Sequence, residues 1–258
     1  MQLATDSPVI EFRDVSYRVG GTQVLSGFNL QVMRGETLVL LGRSGSGKTT
    51  SLKLVNRLLS PASGEIRVKG VSNAEGDVIR LRRSMGYVIQ EVGLFPHFSV
   101  ERNIGLVPKI EGWPEDRIHA RVQELLHTVG LAADTATRYP HQLSGGQRQR
   151  VGVARALGAD PEILLMDEPF GALDPITRDE LQREFLLLQQ RLHKTVVFVT
   201  HDLREAVRLG SRIALMEAGR LVTLLTPGEF LRSADPLAAA YVRAFGEGLG
   251  STANRGTT

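Results

Sequence analysis

Apolar positions along the chain fall into three patterns. Short, partly alternating runs at residues 9–12, 24–25, 28–32 and 66–68, separated by turns such as Gly20-Gly21, predict strands of an antiparallel sheet. Residues 38–41, 163–166 and 196–199 are continuous apolar runs, the pattern of parallel strands buried on both faces. Helical spacing follows Lys48, with Leu52, Val55 and Leu59 at i, i+3 and i+7. It recurs over residues 177–192, where Leu181, Phe185, Leu188 and Leu192 form one stripe. Buried strands that each join a helical pattern predict an α/β layer structure.

Between about residues 91 and 158 no strand pattern occurs. Pro114, Glu115 and Asp116 open a helix whose apolar face is Ile118, Val122, Leu125, Leu126 and Val129. The proline is tolerated in a first turn, and the acids favour the N-terminal end of the helix dipole. This stretch predicts an all-helical insertion, a second subdomain. From Glu247 to residue 258 the chain is rich in Gly, Ser and Thr, which predicts a disordered tail.

Composition narrows the function classes. A length of 258 residues suits one or two domains sharing a substantial core, and 42% hydrophobic with 23% charged residues excludes disorder for most of the chain. A net charge of +3 does not argue for a nucleic-acid binder. The chain has no cysteine, which excludes disulfides, Cys-ligated zinc or iron–sulfur sites and thiol catalysis. No apolar run approaches the roughly 18–20 residues needed to cross a bilayer. The N-terminus lacks the basic start and apolar centre of a secretory signal. A chain that neither spans a membrane nor is secreted by that route is expected, although it can still lie against a membrane protein.

The run at 38–41 leads into Gly42-Arg43-Ser44-Gly45-Ser46-Gly47-Lys48-Thr49-Thr50, which fits G-x-x-x-x-G-K-[ST]. The glycines let the backbone wrap a phosphate closely, with N–H groups pointing inward at a helix start. Lys48 would reach the β- and γ-phosphates, and the Thr49 hydroxyl would bind Mg²⁺. Parallel strands place ligands at their carboxyl ends. The three buried runs end at Gly42, at Asp167-Glu168 and at Thr200-His201, so all three exits should line one edge. Asp167 can hold Mg²⁺ through water, Glu168 can deprotonate an attacking water, and His201 can contact the γ-phosphate. Taken singly, each has a plainer role as a cap or surface residue.

Together these residues resemble the ABC-family ATPases. Leu143-Ser144-Gly145-Gly146-Gln147 is similar to their signature sequence, Gln90 after Gly86-Tyr87-Val88-Ile89 to their Q-loop, and Ala172-Leu173-Asp174 to their D-loop. Asp167-Glu168-Pro169 and His201 resemble the Walker B pair and switch histidine, in the family's order. Tyr17 stands where such proteins stack an aromatic ring on adenine, although strand tyrosines usually pack. The resemblance runs from about residue 9 to 246. It implies a P-loop ATPase core with a parallel sheet, an N-terminal antiparallel β-subdomain and the inserted helical subdomain. It also implies a head-to-tail homodimer, with Ser144 to Gln147 of one copy closing over ATP on the phosphate loop of the other. Gln90 would then sense Mg²⁺ and the lytic water. The loop at 92–98, with Phe95, Pro96 and Phe98, reads equally as part of a groove for a short helix of a transport channel or as insertion core. Arg80, Arg82 and Arg83 read as a solvated face.

A narrower resemblance is carried by LRRSMGYVIQEVGLFPHFSVERNIGLVP, QLSGGQRQRVGVARALGADP and MDEPFGALDPITRDELQ. These are similar to ATPase subunits of bacterial importers for glycine betaine, choline and related osmoprotectants. The resemblance implies ATP and Mg²⁺ as cofactors, integral membrane permease subunits as partners, an extracytoplasmic solute-binding protein indirectly, and a peripheral place on the cytoplasmic face of the bacterial inner membrane. Many members carry paired CBS regulatory domains after the ATPase. This chain stops near residue 258, so sensing through such a module is not expected. An importer for another small solute such as an amino acid, or a separate-subunit exporter, stays open. A soluble ABC ATPase of ribosomes or DNA usually has tandem cassettes or a long coiled-coil insertion. A guanine-specific switch is disfavoured because no N-K-x-D follows the phosphate loop.

Overall fold

The computed structural model describes residues 7–90 and 92–250. In chain order the strands are β1 (Ile10–Val19), β2 (Thr22–Val32), β3 (Thr37–Leu41), β4 (Ser63–Val68), β5 (Val71–Ser72), β6 (Met85–Val88), β7 (Ile163–Asp167), β8 (Thr195–Thr200), β9 (Arg212–Glu217) and β10 (Arg220–Leu225). The helices are α1 (Lys48–Val55), α2 (Val78–Arg83), α3 (Val100–Ile104), α4 (Leu106–Ile110), α5 (Glu115–Thr128), α6 (Gly145–Leu157), α7 (Pro175–Leu192), α8 (Leu203–Leu209), α9 (Pro227–Phe230) and α10 (Pro236–Gly250).

The three continuous apolar runs form the middle of a six-stranded sheet of order β10-β9-β3-β8-β7-β6. Every pairing from β9 to β6 is parallel, and β10 returns antiparallel. Side chains alternate across a strand, so the runs feed two cores at once. Val39, Leu41, Leu164, Met166, Val196 and Phe198 face a cluster shared with α5, α6, α7 and α8. Leu38, Leu40, Ile163, Leu165, Val197 and Val199 face a second cluster with α1 and the antiparallel sheet. Covering on both faces is why these strands can be apolar throughout. The antiparallel sheet has the order β2-β1-β4-β5.

Several boundaries differ from the sequence pattern. The runs at 24–25 and 28–32 belong to one strand, β2, and β1 continues past residue 12 to Val19. Register shifts between Phe12 and Val15 and again around Tyr17 interrupt the alternation, as bulges do. Helix α1 stops at Val55, leaving Leu59 outside it; Asn56 caps the end and Arg57 takes a left-handed backbone. Leu59 still packs on the core. Strands β9 and β10 have no counterpart among the predicted elements. Helix α10 runs to Gly250, so the first residues of the tail expected from Glu247 are helical. Leu237, Tyr241, Val242 and Phe245 anchor that helix on the core. Residues 251–258 lie outside the described residues.

All elements between β6 and β7 are helical among the described residues. The face predicted on α5 is buried: Ile118, Val122, Leu125 and Leu126 all face the core, with Val129 at the cap. Asn103 is fully buried and organises the loop before it. Its amide donates to the carbonyls of Phe95, Phe98 and Ser99, and its Oδ1 accepts the Phe95 amide at 2.8 Å. Of the basic run, Arg82 donates to the carbonyls of Asn56 and Arg57 and Arg83 pairs with Glu111. No helix among the described residues is long and apolar enough to cross a membrane.

Candidate active site

The turn from β3 into α1 is built by close approach. A Cβ on Gly42 would lie 2.4 Å from the Met216 carbonyl oxygen and 2.6 Å from Ser46 Oγ, so only glycine fits there. Gly47 caps α1 with φ 99°, a left-handed backbone that glycine adopts without penalty. The turn between β9 and β10 braces the loop from behind. Gly219 donates its amide to the Ser46 carbonyl at 3.2 Å and accepts the Ser26 amide at 3.1 Å. Three distant chain segments therefore meet at the loop. Sequence reasoning missed this brace, since nothing in the local pattern around Gly219 links it to residue 46.

Lys48 is buried beneath the loop and donates to the carbonyls of Gly42 at 2.7 Å and Arg43 at 2.9 Å. Burial lowers its pKa, opposed by the charges of Glu168 and Asp167. The Ser46 hydroxyl is buried with no hydrogen-bond partner among the described residues. A buried polar atom without a partner is costly. A phosphate oxygen in the loop would satisfy it, and the charge of Lys48 matches that ligand. Arg43, Ser44 and Gly45 form the exposed lip of the loop, and Thr50 sits half-buried inside α1.

The other strand ends converge on the same edge. Asp167, the last residue of β7, is buried, and its Oδ1 accepts a hydrogen bond from the Thr49 hydroxyl at 2.8 Å. Burial pushes its pKa up, and the Thr49 hydrogen bond and the charges of Lys53 and Lys48 oppose this. Among the described residues no group of three or more His, Asp or Glu could hold a metal alone. Thr49 and Asp167 are hard oxygen donors suited to Mg²⁺, which characteristically completes its shell with phosphate oxygens and water. The donor set therefore fits a Mg²⁺ that arrives with a phosphate ligand.

Glu168 follows with a left-handed backbone, φ 44°, that turns it away from the strand direction. For a residue with a side chain this costs roughly 1–2 kcal/mol. Its amide donates to the Val199 carbonyl at 3.0 Å, and its carbonyl accepts from Gly171 at 3.1 Å. The Glu168 Oε2 lies 3.2 Å from Nδ1 of His201, just beyond the end of β8. Glu168 is largely shielded, whereas the imidazole is mostly open to solvent. The pair thus faces the edge where Thr49 and Asp167 meet.

A cleft of about 710 Å³ collects Arg43, Ser44, Thr49, Gln90, Glu168 and His201 on one wall. The other wall is α10, through Leu237, Ala240, Tyr241 and Ala244. That wall was missed by sequence reasoning, although Leu237, Tyr241 and Phe245 repeat at helical spacing. Gln90 is exposed after β6. Tyr17 is half-buried in β1, packs on the core and does not line this cleft.

Ser144, Gly145, Gly146 and Gln147 do not line the cleft either. They form the start of α6, with Ser144 and Gly145 exposed and Gly146 and Gln147 half-buried. The Ser144 hydroxyl accepts the Gln147 amide at 3.2 Å, and the Gln147 side chain accepts the Ser144 amide at 3.0 Å. This reciprocal cap satisfies two of the free donors of a helix start, and the Gly145 and Gly146 amides donate to no backbone acceptor among the described residues. At its other end α6 holds the loop after Gln90: Arg155 donates to the carbonyls of Gly93 at 2.7 Å and Val92 at 2.6 Å. Asp174 caps α7 through the Thr177 amide at 3.0 Å. Phe95 is partly exposed and lines a groove of about 270 Å³ with Tyr87, Leu106 and Arg155.

A glycine-rich phosphate loop between a buried parallel strand and a helix, with two acids at the end of β7 in the same sheet, defines a P-loop nucleotide-binding fold. The family described as ABC transporter matches residues 25–171, and the chain belongs to that family. It is 52% identical over 214 residues to the glycine betaine/carnitine/choline transport ATP-binding protein OpuCA of Bacillus subtilis (strain 168), covering 83% of this chain and 56% of that protein. It is also 52% identical to the glycine betaine uptake system ATP-binding protein YehX of Escherichia coli (strain K12), covering 83% of this chain and 70% of the relative. The chain thus spans little more than half the length of OpuCA. The dimeric post-hydrolysis structure of the ATP-binding cassette MJ0796 bound to ADP and Pi superposes with a TM-score of 0.76 at 31% identity, covering 84% of this chain and 98% of that one.

Proposed function

We propose that this chain is the ATP-binding and hydrolysing subunit that powers an ABC importer for glycine betaine or a related quaternary-amine osmoprotectant. The observation that carries the ATPase reading is the convergence of Thr49 on Asp167 at 2.8 Å and of Glu168 on His201 at 3.2 Å at the mouth of one phosphate loop. The solute reading rests on the similarity to OpuCA and YehX, which serve glycine betaine transport. The cassette is read as residues 9–246 with a helical subdomain over about 91–158.

In this reading, residues 42–50 wrap the triphosphate, with Lys48 neutralising charge on its outer phosphates. A Mg²⁺ ion held by Thr49 and Asp167, with Gln90 near it, would offset phosphate charge as it develops. Glu168 accepts the proton of the attacking water. His201, oriented by its contact with Glu168, stabilises the γ-phosphate oxygens. Tyr17 stacks on the adenine. Ser144, Gly145, Gly146 and Gln147 bring their donors to ATP on a second copy in a head-to-tail homodimer. The groove beside Phe95 receives a helix of a membrane permease subunit at the cytoplasmic face of the inner membrane. An extracytoplasmic solute-binding protein delivers the solute.

Uptake of labelled glycine betaine, with and without this chain at low and high salt, tests the reading against a Lys48→Ala control. Loss of uptake in both deletion and control is expected. Unchanged uptake in cells freed of other betaine transporters would remove the solute and turn attention to amino acids or to export.

A further inference from the structure

Behind the turn that carries His201 lies a buried polar chain that the proposed hydrolysis does not use. Glu205, in the first turn of α8, is 5% exposed. Its Oε2 accepts a hydrogen bond from the Thr200 hydroxyl at 2.6 Å, and its Oε1 accepts from Gln182 Nε2 at 3.1 Å. Thr200 Oγ1 in turn accepts the Asp202 amide at 3.0 Å. The residues on both sides of His201 are therefore tied to one carboxylate.

The direction of each hydrogen bond is set. Arg208 donates to Gln182 Oε1 at 3.0 Å and pairs with Asp179 at 2.5 Å. This turns the Gln182 amide nitrogen towards Glu205. Gln182 and Asp179 lie on α7, the helix that starts just beyond the Glu168 turn. A fully satisfied buried network selects one arrangement of the elements it joins. The imidazole of His201, by contrast, is mostly exposed, and its ion-pair contact among the described residues is with Glu168.

We propose that Glu205 is a positioning residue for His201. Through Thr200 and the Asp202 amide it fixes the turn that presents the imidazole to Glu168. Through Gln182 it ties that turn to the helix following Glu168. The inference rests on the reading of His201 as part of the hydrolytic site. Burial raises the pKa of Glu205, while the Thr200 hydrogen bond and the charges of Arg178 and His201 oppose the rise.

The hydrogen-bond polarity supplies the test. Glu205→Gln keeps the shape but sets an amide nitrogen against either Thr200 or Gln182. Gln182→Glu alone sets two carboxylates together. The double variant restores the sequence of donors and acceptors, because residue 182 then accepts from both Arg208 and residue 205. ATP turnover, KM for ATP and the thermal midpoint are measured for each full-length protein, with and without His201→Ala. Each single variant is expected to lose roughly 10- to 100-fold in kcat, as misplacement of a reacting group does, with KM little changed, and the double variant to recover most of it. In the His201→Ala background Glu205→Gln should cost nothing further in kcat. Normal kcat in Glu205→Gln, or an undiminished loss in the His201→Ala background, overturns the inference alone. Normal turnover in His201→Ala overturns the role of His201 and the inference with it. A Glu205→Gln protein too unstable to assay leaves Gln182→Glu and the restored pair to decide by the same criterion.

Discussion

The phosphate loop and the start of α6 are both glycine-rich helix starts with free backbone donors, yet they are supported in opposite ways. The loop is packed from three sides, by Leu25 and Val24 near Gly47, by Met216 near Gly42 and by the Gly219 amide on Ser46. Its lysine is held in place by two carbonyls of the loop itself. The α6 start is partly exposed and braced by its own cap, with Thr177 beneath Gly146. The first is a site that one chain completes. The second has the Gly145 and Gly146 amides, which donate to no backbone acceptor among the described residues. In the proposed reading, the first half supplies the groups at one phosphate loop and the second supplies donors to a nucleotide on another copy.

The strongest way to sharpen that contrast is Glu168→Gln. Turnover should fall on the order of 10²–10⁴-fold while ATP still binds, and size-exclusion chromatography with ATP should show dimer accumulating. Lys48→Ala attacks the same half at the binding step. It should reduce turnover by roughly 10²–10³-fold and weaken ATP binding measured by calorimetry, so that no ATP-dependent dimer forms. Ser144→Ala probes the other half. Losing the cap costs about 1 kcal/mol, a fall of roughly 2–4 °C in thermal midpoint. Turnover should drop at low protein concentration, with the ATP affinity of the monomer unchanged. A matching loss of monomer affinity would break the comparison. Tyr17→Leu is the mildest. Packing on the core is kept, and loss of the proposed adenine stacking, worth about 1 kcal/mol, would weaken ATP binding roughly 5-fold.

The phosphate loop was legible because its residue spacing and its flanking elements demand one another: a buried strand, glycines where a side chain would collide, and a helix start. The central strands were legible because burial on both faces leaves an unbroken apolar run. Strand β9 was not, although Ile213–Met216 is equally apolar, since a run of that length just after a helix cannot be told from helix by periodicity. Bulges hid the continuity of β1 and β2. The Gly219 brace and the Glu205–Gln182 pairing join residues far apart in sequence, and no local rule states such a partner. The wall formed by α10 was concealed by the glycines at its end, which suggest disorder even where the preceding turns carry the helix forward.

The strand leading into the phosphate loop lies between β8 and β9, and the loop itself is clasped by the turn after β9. All of these neighbours come from the last third of the chain. A ribosome adding about 5–20 residues per second releases the nucleotide motif roughly 10–30 s before the segments that shape it. During that interval the motif is a flexible glycine-rich stretch without its flanking strands. Competence to hold a nucleotide therefore arrives together with closure of the central sheet, and a nascent or prematurely terminated chain carries the motif without the site.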